Sequence, residues 1–134
     1  MSEATRVVET LRSMGRMCIE HDPDVFRSVL DRIGDKWSLL VIGMLEGGPM
    51  RFTELLRATP GISRRMLTTT LRALERDGLV ARTIYAEVPP RVEYEVTDLG
   101  RSLTEPVLRL GMWVADHQQA ILVNRTTFDE HLQA

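Results

Sequence analysis

The chain has 134 residues, 43% hydrophobic and 27% charged, with a net charge of −2, which suits one folded domain with a real core and excludes whole-molecule attraction to polyanions. Its one cysteine, Cys18, cannot form an internal disulfide, and the most apolar run, Leu39 to Leu45, falls far short of the ~20 residues needed to span a bilayer. The N-terminal stretch MSEATRVVETLRSMGRMC has acids among its basic residues and no unbroken apolar segment, so it does not read as a signal peptide, and a cytoplasmic protein is expected.

Val7, Val8, Leu11 and Met14 recur at helical spacing and predict an amphipathic N-terminal helix, interrupted by Gly15 and the polar EHDPD segment. A second helix is predicted from about Val25 to Ile33, with Phe26, Val29, Leu30 and Ile33 on one face and Gly34 at its end. Asp35 can cap a third, KWSLLVIGMLEG, whose near-continuous apolar character marks it as the core element. RFTELLRAT makes a short helix with Phe52, Leu55 and Leu56 inward, and Pro60-Gly61 gives a tight connection. Ser63 then caps a helix that Gly78 terminates. LVARTIY and VEYEV alternate around AEVPPR and read as a β-hairpin, with the prolines kept out of paired positions. Thr97 and Asp98 cap a last helix from Leu99 to about Leu122. The expected fold is therefore mainly α with a small β-hairpin, an α+β winged helix–turn–helix.

Charge placement says more than total charge. From Arg51 to Arg91 there are eight arginines against four acids, so a basic patch sits on an acidic body. On the helix after Ser63, Leu67, Leu71 and Leu74 form one stripe, and Arg65, Thr68, Thr69, Arg72 and Arg76 lie opposite. A solvated face ordinarily mixes lysine, glutamate and glutamine, with acids balancing bases. Arginine can fork onto guanine O6 and N7, and threonine can offer a hydroxyl or a methyl to a base edge. A short helix, a tight turn and this second helix make a helix–turn–helix, and the hairpin supplies a wing. Arg65, Thr68, Thr69 and Arg72 are thus expected on bases. Arg51, Ser63, Arg64, Arg76 and, on the wing, Arg91 are expected on phosphates or flanking DNA.

IGDKWSLLVIGML, GPMRFTELLRATPGISRRMLTTTLRALERDGLV and VPPRVEYEVTDLG resemble the HxlR family of bacterial transcription regulators, relatives of the MarR type. The resemblance covers about Val25 to Val114. It implies a homodimer that binds a two-fold operator, usually as a repressor, with the terminal helices forming the dimer interface. It also implies DNA contacts on the helix from Ser63 and on the wing around Arg91. The expected organisation is then residues 1–23 as N-terminal dimerisation helix and linker, 24–98 as DNA-binding domain, and 99–134 as C-terminal dimerisation helix and tail. Many members carry a redox-sensing cysteine twelve residues before the lysine of the KW pair. Here that place is Asp24, and Cys18 lies six residues earlier.

Cys18 has Arg16 nearby to lower its pKa and Glu20 and Asp22 to oppose that. Sensor, interface thiol and inert filler are all open to it, and the inert reading is preferred. Cys18, His21 and Asp22 make a weak metal set without a second ligand cluster, so no metal or cofactor is expected. Trp37 reads as a core anchor, and Trp113 follows the apolar stripe of the last helix. A small-molecule or redox effector bound between dimer helices stays open. Asp31, Asp35, Glu54 and His117 form no nucleophile–base–acid arrangement, and an enzyme is not expected. Two other readings are a winged-helix module whose arginine face binds an acidic protein, and a small enzyme with a pocket at the dimer interface.

Overall fold

The computed structural model describes residues 2–133, without the side chains of residues 17–21. The side chain of Cys18 therefore lies outside the described residues. The chain divides into two compact units, Met1–Leu39 and Leu40–Ala134.

In the first unit, α1 (Glu3–His21) is capped by Ser2, whose hydroxyl accepts the Thr5 N–H at 3.2 Å. The helix runs through Gly15 rather than stopping there. A mid-helix glycine costs only about 1 kcal/mol against alanine, and the apolar spacing outweighs it. Asp22 is extended and ends α1, and its Oδ1 accepts the N–H groups of Asp24 and Val25 at 3.1 Å each. Pro23 occupies the first turn of α2 (Pro23–Gly34), where its missing N–H is no loss. Asp35 then takes the Trp37 N–H at 3.2 Å and the Ser38 hydroxyl at 2.7 Å, organising the turn into α3 (Ser38–Leu45).

The second unit holds most of α3, a short strand β1 (Met50–Arg51), α4 (Phe52–Ala58), α5 (Arg64–Arg76), the hairpin β2 (Val80–Tyr85) and β3 (Arg91–Val96), and α6 (Asp98–Gln133). The sheet is antiparallel in the order β1-β3-β2. β3 pairs Val96 with Val80 and Arg91 with Tyr85 on one side, and Tyr94 with Met50 on the other. The two-residue β1 was not expected from the sequence. A pair of residues carries no alternation to read, and only β3 makes it a strand. The core is aliphatic and buried: Val41, Ile42, Leu45, Leu55, Ile62, Leu67, Leu71, Leu74, Leu79, Val80 and Val96. Truncating one of these leucines to alanine typically costs about 2–5 kcal/mol.

Two joints position α5. At its start the Ser63 hydroxyl accepts the Met66 N–H at 3.0 Å, following a turn in which Gly61 takes φ +86°. At its end Gly78 takes φ +75°. The N–H groups of Gly78 and Leu79 bond back to the carbonyls of Glu75 and Leu74 at 3.0 and 2.9 Å, a Schellman closure. Thr97 caps α6: its hydroxyl accepts the Gly100 N–H at 3.0 Å and donates to the Gly78 carbonyl at 2.6 Å. α6 continues through Pro106 and past Leu122 to Gln133. Residues 112–133 contain no glycine or proline, so nothing in the chain stops it.

Candidate nucleic-acid interface

The α5 side chains sort as their spacing dictates. Leu67, Thr70, Leu71 and Leu74 are buried, while Arg64, Arg65, Thr69, Arg72 and Arg76 are exposed and Thr68 is half-buried at the edge. Of three successive threonines, Thr70 belongs to the core and Thr68 and Thr69 to the outer face. Among the described residues, none of Arg64, Arg65, Arg72 and Arg76 has an ion-pair partner. Arg64 lies over the Phe52 ring at 5.9 Å from its centre, a loose contact that leaves its N–H groups free. The exposed surface of this helix is therefore a field of uncompensated guanidinium groups. The helix's own positive N-terminal end, with no acid in the first turn, adds to it.

The threonines narrow the chemistry. The Thr68 hydroxyl donates to the Arg64 carbonyl at 2.9 Å, and the Thr69 hydroxyl to the Arg65 carbonyl at 3.0 Å. Their hydrogens are thus engaged by the preceding turn of the helix. What remains outward is two lone-pair acceptors and two methyl groups. Such a pair suits the amino groups of adenine or cytosine and the methyl of thymine, and suits a guanine acceptor poorly.

The wing brings two further arginines. Arg91 opens β3 rather than standing free at the tip. Its Nη2 lies 3.4 Å from Glu87, its Nε 3.7 Å from Glu93, and its guanidinium stacks 4.0 Å over Tyr85. Two carboxylates and a ring already hold this cation, so it belongs to a charged cluster and is not a free guanidinium. Arg82 on β2 was absent from the sequence reading, because strand alternation ranks it with any exposed polar residue. It pairs with Glu75 of α5 at 3.6 Å. Together with Thr68, Leu71, Arg72 and Tyr94 these two line a cleft of about 240 Å³ between α5 and the sheet. Arg51 is exposed on β1, with its backbone N–H donating to Glu54 at 3.3 Å.

α6 presents a different surface. Leu108, Leu110, Met112, Trp113, Val114, Leu122, Val123, Phe128 and Leu132 are all exposed on it. His117 stacks on Trp113 with 4.5 Å between ring centres, and its Nδ1 lies 2.7 Å from the Trp113 carbonyl oxygen. Val7, Val8, Leu11 and Met14 of α1 are exposed as well. Trp37 is half-buried, with the Lys36 ammonium 4.7 Å from its ring centre. Among the described residues no group of three or more His, Cys, Asp and Glu could hold a metal ion, and no helix is long and apolar enough to cross a membrane.

Comparison with known proteins locates this arrangement among relatives. A family model described as HxlR-like helix-turn-helix matches residues 32–121. YdeP of Bacillus subtilis (strain 168), an HTH-type transcriptional regulator, is 38% identical over 111 residues, covering 79% of this chain and 87% of its own. The solved structure of the HTH-type transcriptional regulator ytcD superposes with a TM-score of 0.65 at 41% identity, covering 72% of this chain and 98% of that one. The redox regulator HypR in its reduced form gives a TM-score of 0.63 at 41% identity, covering 76% and 99%.

Proposed function

The chain belongs to the HxlR-like helix-turn-helix family of transcriptional regulators, and from that premise we propose that it is a repressor binding a two-fold operator as a homodimer. The observation that carries this reading is the outer face of α5: Arg64, Arg65, Thr68, Thr69, Arg72 and Arg76 with the exposed Met66 beside them, and no charge partner among the described residues for its guanidinium groups. Arg65, Thr68, Thr69 and Arg72 read base edges in the major groove. Ser63, Arg64, Arg76 and Arg51 hold the phosphates that set register, and the wing rests on flanking DNA through the cluster around Arg91. Arg82 joins this set from the cleft beside Arg72.

The apolar faces of α1 and α6 supply the contact between copies. On α6, Leu99, Leu103, Val107, Leu110, Val114, His117 and Ile121 recur at helical intervals, and several of them are exposed in the single chain. Burying them against a second copy pairs two DNA-reading helices, as a two-fold operator demands. Redox control of the kind named for HypR is not carried over, because Asp24 stands where the family's sensing cysteine falls, and Cys18 is read as inert. An unbiased selection of operators from random duplex DNA tests the whole reading. A two-fold consensus with a steep loss of affinity on added salt is the expected result. Capture without consensus, or binding insensitive to salt, rejects it in favour of a protein-interaction module.

A further inference from the structure

A single hydroxyl joins the end of the DNA-reading helix to the start of α6. The Thr97 Oγ1 accepts the Gly100 N–H at 3.0 Å, the bond an N-cap residue makes to the third residue of its helix. Its hydrogen goes to the carbonyl of Gly78 at 2.6 Å, and Gly78 is the left-handed residue that closes α5. The Thr97 backbone N–H takes the next carbonyl, that of Leu79, at 3.1 Å. Gly100 completes the joint: a Cβ there would collide with the Leu79 carbonyl oxygen, so only glycine lets the two backbones approach this closely. Every residue involved belongs to the same compact unit.

Capping alone does not require this. An N-cap needs only an acceptor, and aspartate or asparagine serves as well as threonine. The donor aimed back at α5 is additional, and the β-branched side chain stiffens its direction. We infer that Thr97 is a positioning residue for operator recognition: by tying the C-cap of α5 to the N-cap of α6, it fixes the angle between the helix that reads DNA and the helix that meets the second copy. This rests on the homodimeric reading above. The leverage is large. α5 has 13 residues and is roughly 20 Å long, so a swing of about 10° at its end moves the far turn by about 3 Å. That is close to one base-pair step of roughly 3.4 Å. A loosened joint leaves each copy able to read its half-site but no longer sets the distance between them.

The test measures binding of the full-length protein to duplexes that carry two half-sites at spacings varied by one base pair, and to a duplex with a single half-site. Thr97→Ser keeps both hydroxyl bonds, Thr97→Asp keeps the cap acceptor without the donor, and Thr97→Val removes both. The parent and Thr97→Ser share one sharp spacing optimum. Thr97→Asp and Thr97→Val bind the single half-site as the parent does, lose about five- to tenfold at the best spacing, and show a flattened spacing profile. A residue needed only for folding would lower half-site and full-operator binding together, in step with melting temperature. That result, or a Thr97→Asp protein with the parent's spacing optimum, overturns the inference. A parent with no spacing preference overturns the dimeric reading, and the inference falls with it. If Thr97→Asp does not fold, Thr97→Val decides by the same comparison with Thr97→Ser.

Discussion

Arg72 and Arg91 are both arginines of the proposed DNA-binding set, and their surroundings separate them. Arg72 is exposed on α5 with no ion-pair partner among the described residues, one turn after Thr68. Arg72→Ala is expected to lose about 1–3 kcal/mol of operator binding and to relax preference at one operator position, checked by repeating the operator selection with the variant. Arg91 sits between Glu87 and Glu93 over Tyr85. With the wing on flanking DNA as proposed, its removal leaves two carboxylates there with no cation between them. Arg91→Ala therefore weakens all sequences alike and flattens the dependence of affinity on salt, read from binding at several ionic strengths. Cys18 is the third residue to decide. Cys18→Ser is expected to fold, dimerise and bind DNA nearly as the parent does. Binding lost on mild oxidation, restored by dithiothreitol and indifferent to oxidation in Cys18→Ser would make this thiol a sensor despite Asp24.

Among the elements, α6 depends on Gly100 more than on any side chain at its start. The Cβ of alanine would meet the Leu79 carbonyl oxygen and lie 2.7 Å from the Val96 Cγ2. A backbone carbonyl that already accepts the Thr97 N–H cannot swing aside as a flexible side chain could. Gly100→Ala is expected to cost about 1–3 kcal/mol or more, seen as an earlier midpoint in urea unfolding. Nothing in the stretch TDLG announces that contact, which arises only when β3 and α5 are folded against each other. The same limit explains what the sequence did and did not disclose. α5 was legible to its caps and its two faces, because Ser63, the leucine spacing and Gly78 act within one helix. The length of α6 was not: Asn124, Thr126 and Thr127 thin the apolar stripe after Ile121. The hydroxyls of Thr126 and Thr127 are accommodated by bonds of 3.0 Å to the carbonyls of Leu122 and Val123, and the helix continues. β1 exists only through its distant pairing with β3, while the Arg82–Glu75 pair and the clasp around Arg91 join near neighbours in sequence across chain reversals, which neither a helical nor a strand period displays.

At the scale of the whole molecule, the largest unanswered feature is apolar surface left outside any core. α1 exposes Val7, Val8, Leu11 and Met14, and α6 exposes Leu110, Val114, Leu122, Val123 and Phe128. Contiguous exposed apolar faces on a chain of this size mark contact with another molecule. Under the homodimeric reading, the α1 face of one copy packs on α6 of its partner and buries both stripes. At about 25 cal/mol per Å² of apolar area removed from water, a few hundred Å² per copy offsets several kcal/mol of association cost. Removing residues 1–17 deletes all four of those α1 residues while leaving the buried aliphatic core of the Leu40–Ala134 unit intact in sequence. The truncated protein is expected to keep a helical circular-dichroism spectrum, reduced by the loss of most of α1, and a cooperative unfolding transition. It is also expected to sediment with a raised dimer dissociation constant, and to lose affinity for the full operator in step with dimerisation. A truncated protein that stays a tight dimer by sedimentation, with full operator affinity, would assign the contact between copies to α6 alone and leave the α1 face to some other partner.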